Sequence, residues 1–191
     1  MKKIVVIACS TGGPKALQEI VPFLEDGIGC PVVIVQHMPA GFTRVLAERL
    51  DLASKIPVSE TEDNQILENN HVYIAKAGSH LKIVPFKNGH RFVHSDEKER
   101  MGVKPCANYT YESLINSNFE EIICVVLTGM GSDGREGIEY LNTGKKIRIF
   151  VQDEKSSVVY GMPGSILKSK LECKVCKLCD LSEEIMKAAE G

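Results

Sequence analysis

KIVVIACSTGGPKALQEIVPFL, residues 3–24, contains the first signals of the fold. An apolar, β-branched run covers residues 3–8, and runs of this kind are typical of strands buried in a parallel sheet. Pro14 stands where helices often begin, and apolar residues recur at helical spacing through residues 15–24. A second strand is predicted at 31–35 and a second helix at 41–52. Such a β-α-β-α series builds a parallel sheet with right-handed crossovers.

The middle of the chain has a different pattern. Short strand-like runs cover residues 72–75, 81–86 and 91–94, and Asn88-Gly89 is a hairpin turn signal. Beyond them, helices predicted at 107–118, 134–141, 165–170 and 182–189 alternate with strands at 122–127 and 147–151. We therefore predict the α/β class: a doubly wound, mostly parallel sheet flanked by helices, with a small antiparallel hairpin near residues 72–94.

Length and composition narrow the class of protein. The 191 residues, 43% of them hydrophobic, suffice for one well-buried domain over residues 1–191. Charged residues make up 25% of the chain with both signs interleaved and a net charge of −2, so we expect no nucleic-acid partner. No apolar stretch reaches the length of a membrane span, and the start is too short for a signal peptide. We expect a cytoplasmic protein without membrane insertion.

The seven cysteines are an odd number without a secretion signal, which predicts reduced thiols. Their one cluster is Cys173, Cys176 and Cys179. A structural zinc ion normally takes four ligands, and no histidine or fourth cysteine follows at suitable spacing. We predict no metal site.

Three residues with the chemistry of a serine hydrolase each follow an apolar strand. Ser10 follows the first strand, His37 the second and Asp133 the strand at 122–127. The carboxyl ends of parallel strands share one edge of a sheet, so these side chains should meet. Serine would attack a carbonyl, histidine would take and return its proton, and aspartate would orient the imidazole. The Gly-x-Ser-x-Gly elbow is absent, and the chain order differs from those of lipases and common proteases.

Each of these residues also has a structural interpretation. Ser10 could shape a turn or cap the first helix, Asp133 could cap the helix after it, and a lone histidine proves little. Their common position at strand ends favours catalysis. Glycines flank Met130, whose backbone amide we predict to be an oxyanion donor, although those glycines could simply permit a tight turn.

Several ordered motifs resemble the catalytic domain of the chemotaxis protein-glutamate methylesterases. The resemblance spans nearly the whole chain and is carried by Ser10-Thr11-Gly12-Gly13, Gln36-His37-Met38-Pro39-Ala40-Gly41-Phe42-Thr43, Leu127-Thr128-Gly129-Met130-Gly131-Ser132-Asp133-Gly134 and Gly161-Met162-Pro163.

This resemblance implies hydrolysis of glutamate methyl esters on the cytoplasmic helices of methylated chemoreceptors, with release of methanol. Some members of the family also deamidate receptor glutamines. No metal or organic cofactor is implied. The predicted site residues are the catalytic Ser10, His37 and Asp133, the backbone oxyanion donors Met130 and Thr11, and the substrate-binding Met38 and Phe42.

Two features depart from the family pattern. Members usually carry an N-terminal receiver domain, for which the position of Ser10 leaves no room, so the chain is either a fragment or regulated differently, for example by a receiver domain or phospho-signalling partner in trans. In addition, Lys104-Pro105-Cys106-Ala107-Asn108 stands where the family has Arg-Pro-Ser followed by an acidic residue. A forked guanidinium is thus replaced by a point charge, which predicts altered substrate recognition.

Two other functions stay open at this point. A non-catalytic receptor-binding module could retain the fold, because a fold does not guarantee chemistry. Nucleotide binding at the first strand-to-helix loop is disfavoured, because neither glycine-rich phosphate motif follows that strand.

Overall fold

A seven-stranded parallel sheet forms the centre of the computed structural model, which describes residues 2–190. Its spatial order is β3-β4-β2-β1-β7-β8-β9. The strands are β1 (Lys3–Cys9), β2 (Val32–Gln36), β3 (Val58–Glu60), β4 (Val72–Ile74), β7 (Glu121–Val126), β8 (Lys146–Gln152) and β9 (Lys174–Cys176). Two further strands, β5 (His80–Phe86) and β6 (Gly89–Ser95), form a separate antiparallel hairpin.

In the described part of the chain, six α-helices connect and cover these strands. They are α1 (Gly13–Ile20), α2 (Phe42–Asp51), α3 (Ala107–Ser113), α4 (Arg135–Leu141), α5 (Gly161–Lys168) and α6 (Leu181–Glu190). Short 3₁₀ helices cover Val21–Phe23, Asp26–Ile28, Leu114–Asn116 and Leu178–Asp180. Within residues 2–190, no helix is long and apolar enough to cross a membrane.

The sheet has a hydrophobic layer on each face. Buried side chains of α1, α2 and α6 pack on one face, and those of α3, α4, α5 and the hairpin pack on the other. The central strands β1, β2 and β7 are buried on both faces, which explains their nearly continuous apolar runs. This arrangement confirms the predicted doubly wound class.

The antiparallel excursion is shorter than predicted. Residues 80–86 and 89–95 form the hairpin, but Val72–Ile74 pairs in parallel with β2 and β3 and belongs to the main sheet. The prediction that residues 72–75 join the hairpin was therefore wrong. A three-residue apolar run carries no information about the direction of its partner strand.

Other elements also differ in extent. The helix predicted at 107–118 ends at Ser113 and continues as a 3₁₀ turn, and the one predicted at 165–170 begins earlier, at Gly161. Strands β3 and β9 were not predicted, because each has only three residues and only one of the three is buried, whereas all three residues of β4 are buried. All seven cysteines are free, with Cys176 buried and Cys179 exposed.

Candidate active site

Three adjacent strands deliver the predicted catalytic residues to one edge of the sheet. Strand β1 lies between β2 and β7, and Cys9 is paired with Gln36, so Ser10 and His37 follow directly at neighbouring strand ends. The His37 amide donates to the Cys9 carbonyl at 3.1 Å, and the Ser10 amide donates to the Thr128 carbonyl at 3.0 Å. The loop after β7 then brings Asp133 toward His37.

His37 and Asp133 form a close, buried pair. The distance between His37 Nε2 and Asp133 Oδ2 is 2.7 Å, and only 10% of the His37 side chain and 3% of the Asp133 side chain are exposed. Because Nε2 is engaged with the carboxylate, Nδ1 is the ring nitrogen left to act on a neighbouring hydroxyl. Ser10 is half-buried beside this pair, and no hydrogen bond joins Ser10 Oγ to His37 among residues 2–190. Catalytic hydrogen bonds are often long before substrate binds.

A segment far away in sequence holds the Asp133 carboxylate. The backbone amides of Ala107 and Asn108, at the start of α3, donate to it at 2.6 and 3.0 Å, and the Cys106 thiol donates at 3.0 Å. Burial alone would raise the pKa of Asp133, but hydrogen bonds from His37, Cys106 and the Ala107 amide hold that pKa below its ordinary value. The carboxylate is therefore kept ionised beside His37.

This arrangement contradicts the helix-cap interpretation of Asp133. Helix α4 begins after Gly134 without a side-chain cap bond. Asn108 serves its start instead, because its side-chain oxygen accepts hydrogen bonds from the amides of Gly134 and Gly137 at 3.0 and 2.8 Å. Asp133 does accept a bond from the adjacent Gly134 amide, but its other partners lie outside α4.

Cys106 is itself fixed by a buried histidine. His80 Nδ1 accepts the Cys106 amide at 3.1 Å, and His80 Nε2 donates to the Lys98 carbonyl at 3.0 Å. Burial lowers the pKa of His80, so the ring is neutral and carries its proton on Nε2. Burial also raises the pKa of the Cys106 thiol to about 12, which keeps it protonated as a donor.

Hydrogen bonds of the Thr128 side chain hold the loops near the predicted oxyanion donors, Thr11 and Met130. The buried Thr128 hydroxyl donates to the Thr11 carbonyl at 2.9 Å and accepts the Val159 amide at 3.0 Å. Among residues 2–190, the amides of Met130 and Thr11 make no intramolecular hydrogen bond, so both are free to donate to a ligand. Met130 is 74% exposed.

A cleft of about 500 Å³ opens beside His37. Met38 contributes to the wall of this cleft. Phe42, at the start of α2, is 57% exposed and is not part of that wall. The cleft is lined by His37, Met38, Pro39, Ala40, Gly78, Glu99, Gly102, Val103 and Lys104.

The segment that departs from the family pattern reaches two parts of the site. Lys104 lines the cleft and forms an ion pair with Asp96 at 2.6 Å, while Cys106 contacts Asp133.

Within residues 2–190, no group of three or more histidine, cysteine, aspartate or glutamate side chains is arranged to hold a metal ion.

A family model described as CheB methylesterase matches residues 5–185. The chain belongs to the CheB methylesterase family. A crystal structure of the Thermotoga maritima CheB methylesterase catalytic domain superimposes with a TM-score of 0.93 at 33% identity, covering 98% of this chain and 99% of that one.

Curated relatives of this chain have names that state two activities. A Pseudomonas fluorescens Pf0-1 protein named protein-glutamate methylesterase/protein-glutamine glutaminase 2 is 40% identical over 186 residues, covering 97% of this chain and 48% of that protein. The Bacillus subtilis protein-glutamate methylesterase/protein-glutamine glutaminase is 38% identical, covering 96% of this chain and 52% of that protein. The chain thus spans about half the length of these relatives.

Proposed function

We propose that this chain hydrolyses glutamate methyl esters on the cytoplasmic helices of chemoreceptors, giving glutamate and methanol. The observation that carries the proposal is the 2.7 Å contact between His37 Nε2 and Asp133 Oδ2, on the strand end next to Ser10. Family membership and the names of the relatives support this substrate.

In the first half-reaction Ser10 becomes acylated. Ser10 Oγ attacks the ester carbonyl while Nδ1 of His37 takes its proton, forming a tetrahedral intermediate. That intermediate collapses as its bond to the methoxy oxygen breaks, and His37 returns the proton so that methanol leaves. Asp133 stabilises the charged imidazole and fixes its orientation.

In the second half-reaction water releases the product. His37 removes a proton from water, which attacks the acyl carbon, and the bond to Ser10 breaks with return of the proton to Oγ. In both halves the amides of Met130 and Thr11 would bind the developing oxyanion. One such donor typically lowers the barrier by about 2.7–4 kcal/mol.

A second activity uses the same site. The curated relatives are also named protein-glutamine glutaminases, which favours deamidation of receptor glutamines by this chain. The acyl chemistry is the same, but ammonia is the leaving group and His37 must protonate it.

The proposal also covers the substrate contacts, the cofactor requirement, the cellular location and the control of the chain. Met38, in the cleft wall, and the exposed Phe42 are the proposed contacts for the receptor helix. The reaction as written needs no cofactor. We further propose that residues 1–191 act as one catalytic domain in the cytoplasm, controlled by a receiver domain or a phospho-signalling partner.

The proposal is tested by measuring methanol release from methylated chemoreceptor cytoplasmic fragments. We expect release by the wild-type chain and a fall of at least about 10³-fold in folded Ser10→Ala, because the nucleophile is lost. Undiminished turnover in Ser10→Ala would rule out Ser10 as nucleophile. A folded wild-type chain that releases nothing from several receptors would instead favour the non-catalytic receptor-binding module.

A further inference from the structure

Gln36, the last residue of β2, places a polar side chain in the core between two catalytic residues. It is only 1% exposed, and the four strand residues before it are all apolar. Its Nε2 donates to the carbonyl of Ser10 at 3.1 Å and to the carbonyl of His37 at 2.8 Å. Both N–H groups of the amide are therefore used, each on the backbone of a different catalytic residue.

The opposite end of the amide is equally constrained. Oε1 accepts the Cys9 thiol at 3.1 Å, and burial raises the pKa of Cys9, so the thiol stays protonated as a donor. A Cβ atom at Gly13 would lie 1.9 Å from Oε1, so a side chain at position 13 would displace the Gln36 amide. The side chain is thus held between β1, α1 and its own strand.

The regular ladder between β1 and β2 ends just before the site. The last paired residues are Cys9 and Gln36, and one more backbone hydrogen bond follows them, from the His37 amide to the Cys9 carbonyl. The Ser10 and His37 carbonyls come next, and two carbonyls cannot bond to each other. One donor group placed between them supplies the missing connection.

We propose that Gln36 is a positioning residue that sets the separation between the Ser10 hydroxyl and the His37 imidazole. This inference rests on the proposed function, because it assumes that Ser10 is the nucleophile and His37 its base. Without the amide donors this link between the two strand ends is lost, although the Gly13 amide still donates to the Ser10 carbonyl at 2.8 Å. A displacement of about 1 Å at a reacting group can cost about 10²-fold in rate.

The test uses a fluorophosphonate probe, which requires no knowledge of the receptor. Ser10 Oγ attacks phosphorus, the P–F bond breaks, fluoride leaves, and His37 takes the hydroxyl proton. The variants are Gln36→Met, which keeps the length but has no N–H donor, and Gln36→Glu, which loses both donors when ionised. Peptide mapping identifies the labelled residue, and saturation kinetics separate the maximal labelling rate (kinact) from the probe's binding constant (KI).

Glu121→Gln is the control for general destabilisation. Glu121 is a buried carboxylate at the start of β7, paired with Arg148 at 3.0 Å, Lys146 at 3.4 Å and Lys3 at 3.5 Å. It lies at the opposite edge of the sheet, about 20 Å from Ser10 at the usual strand rise. Removing its charge should lower the thermal midpoint without moving Ser10 or His37.

We expect both Gln36 variants to lose about 10- to 100-fold in kinact with KI unchanged, while Glu121→Gln labels like wild type. A kinact within twofold of wild type in folded Gln36 variants, an equal loss in Glu121→Gln, or failure of both Gln36 variants to fold would overturn the positioning role. Those results leave the proposed function intact. Absence of labelling at Ser10 in the wild-type chain would overturn the proposed function and this inference together.

Discussion

Five donors surround the Asp133 carboxylate. His37 Nε2 and the Ala107 amide contact Oδ2, while the Cys106 thiol and the amides of Asn108 and Gly134 contact Oδ1. An acceptor-only group fits this environment, because each oxygen meets donors alone. The same five bonds fix the position of the carboxylate toward His37.

Asp133→Asn is expected to lower kcat for methanol release by about 10³- to 10⁴-fold. The NH2 group of asparagine would face either His37 and the Ala107 amide or the three donors on the other side, and it cannot accept their hydrogen bonds. The imidazole therefore loses its orientation, and it also loses its counter-charge. The thermal midpoint should also fall, because a buried donor is left unpaired. Kinetics and thermal denaturation of the purified variant check both effects, and a folded variant with kcat within tenfold of wild type would remove Asp133 from the mechanism.

Residue types in the sequence predicted which side chains meet, but not what holds them. His37 and Asp133 were expected together from their positions after apolar strands, and the structure brings them into contact. The catalytic roles themselves stay predictions. The support from Ala107 and Asn108 was missed, because it uses backbone amides, which every non-proline residue has, from a segment 25 to 26 positions away. Gln36, a polar residue that ends an otherwise apolar strand, entered the prediction only through the family motif, and its hydrogen bonds to the Ser10 and His37 carbonyls were missed.

At the scale of elements, α3 and α4 cross very closely. A Cβ atom at Gly137 would lie 2.8 Å from both the Cα and the carbonyl oxygen of Asn108. The close approach lets the Asn108 side chain reach the Gly137 amide and keeps the Asn108 amide on Asp133. Helix packing and the position of the Asp133 carboxylate therefore depend on one glycine.

Gly137→Ala is expected to destabilise the fold by up to about 2 kcal/mol, because an overpacking cost of about 1–3 kcal/mol outweighs the roughly 1 kcal/mol that alanine gains in helix propensity. Methanol release should fall too, since Asn108 must move. Urea denaturation measures the first effect. Gly27→Ala is the matched control, because a Cβ atom there meets nothing within 4 Å. Unchanged stability in Gly137→Ala would show that the two helices separate freely.

Long elements were predicted well, and short ones were not. Strands β1, β2 and β7 have nearly continuous apolar runs because both their faces are covered, and β8 has a buried apolar run at 149–151, so their sequences identify them. Strands β3 and β9 have three residues each, too few for any periodicity. Residues 72–74 were assigned to the wrong sheet, because pairing partners depend on the tertiary fold rather than on the local sequence.

For the whole molecule, buried neutral histidines predict loss of stability in mild acid. His80 and His90 are 0% and 2% exposed, and burial lowers the pKa of each below its ordinary value of 6.5. The unfolded chain binds protons at these groups more readily than the folded chain. Their contribution to stability is therefore complete above pH 6.5 and lost as the pH falls through their folded-state pKa values.

We expect the free energy of unfolding to decrease as the pH is lowered from about 6.5 to 5, with each such histidine contributing at most about 1.4 kcal/mol per pH unit. His90→Phe should flatten this dependence, because it keeps the stacking on Phe119 but cannot titrate. Urea denaturation at a series of pH values gives the slope. Equal slopes for wild type and His90→Phe would show that His90 does not contribute.

The chain of hydrogen bonds from Lys98 through His80 and Cys106 to Asp133 begins in the segment that also supplies Glu99, Gly102 and Lys104 to the cleft wall. Under the proposed function, the wall that meets the receptor helix and the carboxylate that orients His37 are thus linked by one chain of hydrogen bonds. A substitution that adapts the wall to a new receptor helix is then expected to shift Asp133 as well. Divergence of specificity here would proceed through paired substitutions, one in the wall and one that restores the aspartate.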